Sequence, residues 1–131
     1  MTQKRQKIRV AIVDDHQLVR SGIAALLRNE NDIEVVIEAS NGLEVLAKLK
    51  SLSPDVVLMD ISMPTMNGIE ATSRIRHAGG STKVLVLTQY DHEEYIKRVM
   101  QAGASGYILK SAIAEELLRG IRAVHRAEQF L

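Results

Sequence analysis

The chain has 131 residues, 46% apolar and 25% charged, with a formal net charge of +1, so length and composition suit a single domain with one sizeable core. Such a balance supplies no global field to draw in nucleic acid or an acidic membrane, and the lack of cysteine excludes a disulfide framework and a thiolate metal site. Its apolar runs are about four to six residues against the roughly 20 that cross a bilayer, and no signal peptide opens the chain, which reads as cytoplasmic with no membrane partner.

Residues 1–7, MTQKRQK, carry Lys4, Arg5 and Lys7 without apolar periodicity and read as a flexible basic tail. IRVAIV at 8–13 is the first strand candidate, followed by a helix whose apolar face is Val19, Ile23, Leu26 and Leu27. IEVVIEA at 33–39 is the second strand, and Asn41 followed by Glu44 makes a capping-box-like start to a helix that ends before Pro54. VVLMD at 56–60 is the third strand, and the helix after it begins near Asn67 and stops at Gly79-Gly80. KVLVLT at 83–88 is the fourth, with a helix running from Asp91 and Glu94 to Gly103. YIL at 107–109 is the last, and a fifth helix from Ser111 buries Ile113, Leu117, Ile121 and Val124, with Glu115 and Glu116 suiting its dipole.

Strand and helix alternate five times, and the strands are mostly continuous rather than alternating in polarity. This predicts an α/β fold with a doubly wound five-stranded parallel sheet covered on both faces. The favoured order is 2-1-3-4-5, which opens its crevice at the carboxyl ends of strands 1 and 3. Functional residues are expected just beyond strand ends.

Asp14 and Asp15 follow the first strand and Asp60 ends the third, so this topology gathers three carboxylates on one rim. Taken separately, each has a plainer reading: Asp14-Asp15 as a helix N-cap, Asp60 as a residue of the turn-forming MPTMNG. Two carboxylates about 4 Å apart repel by roughly 4 kcal/mol at an effective dielectric near 20, so such a cluster protonates, spreads or holds a cation. All-oxygen donors describe Mg²⁺ better than Zn²⁺. His16, His77, His92 and His125 are scattered and read as surface or packing residues. Thr88 ends the fourth strand and Lys110 the fifth, adding a hydroxyl and an ammonium to the rim. A carboxylate, a metal, a hydroxyl and a cation together suit a phosphoryl group.

VDD at 13–15, MD at 59–60, LT at 87–88 and YILK at 107–110 resemble the signatures of two-component response regulator receiver domains, the CheY-like family with a flavodoxin-like fold. Gaps of 45, 28 and 22 residues separate Asp15, Asp60, Thr88 and Lys110, in the family's order. The resemblance covers residues 8 to about 128. It implies that Asp60 accepts a phosphoryl group from a sensor histidine kinase, that Asp15, Asp60 and the Ser62 backbone carbonyl bind Mg²⁺ with Asp14 acting through water, and that Thr88 and Lys110 contact phosphoryl oxygens. Thr88 and Tyr107 would be the switch pair, and Ser62, Gln89 and Tyr90 would modulate rates. The protein would promote its own phosphorylation and dephosphorylation rather than act as an enzyme on other substrates. Ser62, standing where related aspartyl-phosphate phosphatases carry an acid, speaks against turnover of external phosphoesters.

Two departures from the family pattern concern rates. Ser111 replaces a common proline after Lys110, and Gln89 is bulkier than the usual small residue. DDHQLVRSGIAALL, DIEVVIEASNG and AGASGYILK look most like the LuxR/NarL-type subgroup, which implies a C-terminal helix-turn-helix domain outside this sequence, reached through a linker starting at residues 129–131. DNA would be a partner only through that region. Arg119, Arg122 and Arg126 read as a solvated or partner-facing stripe. Self-association as a homodimer could run through the fifth helix with the first or through the face of the fourth helix, fifth strand and fifth helix, either using apolar residues such as Ile113, Leu118 or Met100, with no choice between them in the sequence. The alternative is a flavodoxin-like small-ligand or nucleotide-binding module without phosphorylation; against it, no glycine-rich loop follows the first strand.

Overall fold

A computed structural model describes residues 7–61, 66–89 and 92–131. Its strands are β1 (Ile8–Val13), β2 (Ile33–Ala39), β3 (Val56–Asp60), β4 (Lys83–Thr88) and β5 (Gly106–Leu109). They form one sheet in the order β2-β1-β3-β4-β5, every neighbouring pair parallel. The helices are α1 (Gln17–Arg28), α2 (Gly42–Lys48), α3 (Gly68–His77), α4 (Glu93–Gln101) and α5 (Ile113–His125). This is the expected doubly wound architecture, and the strand limits differ from the sequence reading only in Gly106.

The continuous apolar strands are explained by two cores, one on each face of the sheet. Ile12, Leu58, Leu85 and Ile108 pack against Ile23 and Leu27 of α1 and Leu117, Ile121 and Val124 of α5. Val13, Val57, Met59 and Val86 pack against Val45 of α2, Ala71 and Ile75 of α3 and Val99 of α4. β3, fully buried over all five residues, serves both. Because successive strand residues face opposite cores, no polar alternation survives in its sequence.

The helix ends largely follow their chemistry. Asn67 caps α3 by accepting from the Glu70 amide, and α3 closes before Gly79 and Gly80, whose φ of 82° and 87° lie in the left-handed region that suits glycine. A side chain placed on either would meet nothing within 4 Å. α4 starts at Glu93 with His92 at its cap and no side-chain cap bond; the predicted cap, Asp91, lies outside the described residues. Leu26 departs from its predicted face. It is 40% exposed, while Ala24 takes the inward position beside Ile23 and Leu27. Ile113, Leu118 and Met100 are half-buried against the two cores, so the apolar side chains most open to a partner on α1 are Leu18 and Leu26. Arg122 is no part of a free basic stripe: its guanidinium grips Asp32 through two bonds of 2.9 Å and Glu30 through one of 2.7 Å, tying α5 to the turn before β2. Arg119 and Arg126 pair with Glu116 and Glu128.

The second helix carries a testable consequence. Asn41 accepts from the Glu44 amide at 2.8 Å, and the Glu44 carboxylate reaches back to the Ser40 backbone N–H. That bond, aided by the Ser40 hydroxyl and Lys48, holds the Glu44 carboxyl below its ordinary value of 4.5. A depressed carboxyl contributes stability that is complete above the unfolded value and is lost as pH falls through the folded one. Glu44 is largely solvated, so the effect is below about 1 kcal/mol. Glu44→Gln should therefore lower the urea midpoint slightly at pH 7, and the difference should shrink progressively as the pH falls below 4.5.

Candidate functional site

Parallel strands that all start at one end of the sheet deliver their last residues to the other. Asp60 closes β3 and Thr88 closes β4, while Asp14 and Lys110 are the first residues past β1 and β5. Register reinforces the gathering: Val13 sits opposite Met59, Asp60 opposite Leu87, and Thr88 opposite Leu109. Asp14, Asp60 and Thr88 are each no more than 1% exposed, and they supply three of the four buried polar or charged residues described.

Lys110 knits the acids together. Its Nζ lies 2.9 Å from Asp60 Oδ1 and 3.5 Å from Asp14 Oδ2. Burial pushes the Asp60 carboxyl above its ordinary value; the bond from Lys110 opposes this, and the negative charges of Asp14 and Asp15 add to it. Burial pulls the Lys110 ammonium down, but its bond to Asp60 and the charges of Asp60 and Asp14 outweigh that, leaving it above its ordinary value. Lys110 is therefore a fixed positive charge at neutral pH.

The first-strand acids are positioned by their own loop. Asp14 Oδ1 accepts from the His16 amide at 2.8 Å, its carbonyl accepts from the Arg20 guanidinium, and its amide donates to Ala39 O at 3.1 Å. His16 Nδ1 stands 3.1 Å from Asp15 Oδ1 and 3.4 Å from Asp14 Oδ1. The sequence marks His16 only as one of four scattered surface or packing histidines. Its side chain is indeed 68% exposed, yet its ring nitrogen faces the acids, a placement hinted at only by its position directly after Asp14-Asp15.

Among the described residues, buried Asp60 Oδ2 has no hydrogen-bond partner, and buried Asp15 Oδ1 has only the His16 ring nitrogen near it, at 3.1 Å without a formed hydrogen bond. A buried carboxylate oxygen without a donor is costly, and a cation satisfies it. Asp14, Asp15 and His16 present ligand atoms within 4.8 Å of one another, so the acidic cluster can hold a metal ion. Asp60, expected as a ligand beside Asp14 and Asp15, is not part of that group; it feels their charge, and its Oδ1 shares the Lys110 ammonium with Asp14 Oδ2. Hard oxygen donors and unsatisfied charge fit a small divalent cation.

A glycine makes this placement of Asp60 fit. Gly68 donates its amide to Ile61 O at 2.8 Å, and a Cβ on it would fall 2.2 Å from the Asp60 carbonyl oxygen and 2.7 Å from Ile61 Cα. In the sequence Gly68 stands only as the last residue of the turn-forming MPTMNG; the contact is made through space and has no local signal.

Of the other predicted site residues, Gln89 is exposed and lines a shallow depression with Leu109, Lys110 and Ser111. The Lys110–Ser111 bond is trans, and Lys110–Ala112 form a 3₁₀ turn leading into α5. Tyr107 is half-buried against the α4 side of the sheet. Ser62 and Tyr90 lie outside the described residues.

A family model described as the response regulator receiver domain matches residues 10–122. The oxygen regulatory protein NreC of Staphylococcus aureus (strain JH9) is 45% identical over 125 residues, which make up 95% of this chain and 58% of NreC. Among solved structures, a LuxR family two-component response regulator from Aurantimonas sp. SI85-9A1 superposes with a TM-score of 0.91 at 33% identity, over 96% of this chain and 90% of that one. The RcsB response regulator of Salmonella typhimurium, solved in a study of its DNA interaction, gives a TM-score of 0.87 at 26% identity, over 95% of this chain and 62% of that one. The chain thus spans less than two thirds of the length of NreC and RcsB.

Proposed function

The chain belongs to the response regulator receiver family, and from that premise we propose that Asp60 is the residue that accepts a phosphoryl group from a sensor histidine kinase. The observation that carries this reading is the state of the Asp60 carboxylate: 1% exposed, at a strand end, one oxygen on an ammonium and the other without a partner.

In the reaction an Asp60 oxygen attacks the phosphorus of a phosphohistidine, the P–N bond breaks, and the imidazole nitrogen leaves with the electron pair. Asp60 becomes an acyl phosphate, a mixed anhydride that water later opens to inorganic phosphate and the free carboxylate. Lys110, already 2.9 Å from Asp60 Oδ1, meets the charge that arrives with the phosphoryl group, and Thr88 at the end of β4 offers a hydroxyl to it. Asp15 and Asp60, with Asp14 behind them, would hold Mg²⁺. When bound, that ion neutralises charge on the carboxylates and on the transferring group. The Ser62 carbonyl as a further ligand, and Ser62, Gln89 and Tyr90 as residues that set the rate, belong to the same proposal, as does Tyr107 acting with Thr88 as the switch.

The length of NreC and RcsB beyond this match supports a following DNA-binding domain joined to the receiver, so that phosphorylation controls transcription in the cytoplasm. No helix among the described residues is long and apolar enough to cross a membrane. Exposed Leu18 and Leu26 on α1 make self-association through that helix the favoured homodimer.

Intact-mass analysis after acetyl phosphate tests the central step. With Mg²⁺ the protein should gain one phosphoryl mass, located by peptide mapping to the segment holding Asp60, and an excess of chelator should remove at least about 90% of it, as expected when the metal supplies several kcal/mol of charge stabilisation. Undiminished labelling in the chelator would refute the metal's role, and a label mapped elsewhere would refute Asp60. Flavin or nucleotide binding without any label would favour the small-ligand module instead.

A further inference from the structure

The segment after α5 does not leave the domain. α5 closes in a Schellman turn: the Ala127 amide donates to Val124 O and the Glu128 amide to Ala123 O, each at 3.0 Å. Ala127 holds the left-handed position of that turn, at φ 64°, where glycine is the usual occupant and an alanine is strained. The turn brings the chain back to the β5 edge of the sheet. Phe130 then forms a parallel bridge to Gly106: its amide donates to Ser105 O at 3.1 Å, and its carbonyl accepts from the Tyr107 amide at 2.9 Å.

Three further features fit this seat. Gly106 leaves room for it, since a Cβ there would fall 2.2 Å from Phe130 O, and its three nearest atoms would all belong to Phe130. Gly120 on α5 leaves room for the ring, with Phe130 Cδ2 at 3.2 Å from where its Cβ would be. The Arg119 guanidinium lies over the ring, 5.7 Å from its centre. Leu131, 69% exposed, lines one side of an open groove whose other walls include Ile96 and Met100 of α4 and Tyr107.

We propose that Ala127–Leu131 is a strap that occupies the outer edge of β5, ties the Tyr107 backbone, and is released when Asp60 is phosphorylated. The strap and the predicted switch residue share one backbone hydrogen bond, and Leu131 borders the same open groove as Tyr107 and α4. A change in Tyr107 or α4 therefore alters the strap's seat, and loss of the strap frees β5. Release on phosphorylation rests on the function proposed above; docking of the strap does not.

The Tyr107 amide reports the docked state, because an edge amide without Phe130 would face water. In the full chain its hydrogen exchange, followed by NMR, should be slow, and Gly106→Ala should speed it at least about tenfold while leaving the Leu85 and Leu87 amides of the core strand unchanged. Phe130→Ala provides a second variant should Gly106→Ala fail to fold. Wild-type protein carrying a phosphoryl group, verified by mass in the same sample, should lose Tyr107 protection to a similar degree. Equal Tyr107 protection in wild type and the variants would overturn the strap. Equal protection in labelled and unlabelled wild type would overturn its coupling to Asp60. A protein that takes up no label would contradict the phosphoacceptor reading, while exchange in the unlabelled variants still decides whether the strap docks.

Discussion

Asp60→Asn should take up no phosphoryl mass from acetyl phosphate, and in metal-free buffer it should be more stable than wild type by about 1–3 kcal/mol. Both outcomes have one cause. The wild-type carboxylate is stripped of water, pushed toward its neutral form by burial, and crowded by Asp14 and Asp15. An amide of nearly the same shape carries no charge to desolvate and is a far poorer nucleophile. Lys110 is not stranded by the change, because Asp14 Oδ2 remains 3.5 Å away. Urea denaturation with and without Mg²⁺ gives the check: the variant's advantage should shrink as the ion binds the folded wild type and stabilises it. A variant less stable than wild type under metal-free conditions would contradict the claim that the acids are held together under repulsion, a cost at the functional site that the two cores offset.

Gly68→Ala should lower stability by about 1–3 kcal/mol and slow labelling of Asp60 roughly tenfold or more. Alanine normally improves a helix by up to about 1 kcal/mol over glycine, so propensity alone predicts the opposite sign. Sterics decide, because the new methyl would lie 2.2 Å from the Asp60 carbonyl oxygen and 2.7 Å from Ile61 Cα, backbone atoms that cannot rotate aside. Either the start of α3 moves outward or the end of β3 is pushed, and the second displaces the proposed phosphoacceptor. Urea midpoints and labelling rates measured on the same protein check both parts; an unchanged rate at reduced stability would show that α3 alone had yielded.

The parts of this protein that repeat a simple physical pattern were legible in its sequence. Five runs of buried strand gave the sheet, and Asn41 and Asn67 gave two helix starts, because a strand between two cores and a capped helix impose local rules on residue type. Asp14, Asp15, Asp60, Thr88 and Lys110 could be placed on one rim because topology converts strand ends into a common location. What escaped had no period. Leu26 was assigned inward by spacing alone, although Ala24, small and weakly marked, fills the site against the sheet. His16 meets the acids through its ring nitrogen, and Gly68 meets Asp60 through a missing side chain. Phe130 docks by a single backbone bridge, which asks nothing of its neighbours' polarity. Arg122 looked like surface charge, since its partners Asp32 and Glu30 lie about 90 residues away in the chain.

The glycine turn between α3 and β4 offers an experimental handle. β4 runs from Lys83 to Thr88, so the exposed Ser81 beside Gly79 and Gly80 stands roughly 20 Å of strand from the chemistry, at about 3.3 Å per residue. With no cysteine anywhere in the sequence, Ser81→Cys would create a sole thiol. A fluorophore or surface tether joined there would leave the acidic pole pointing away from its support, open to an approaching kinase.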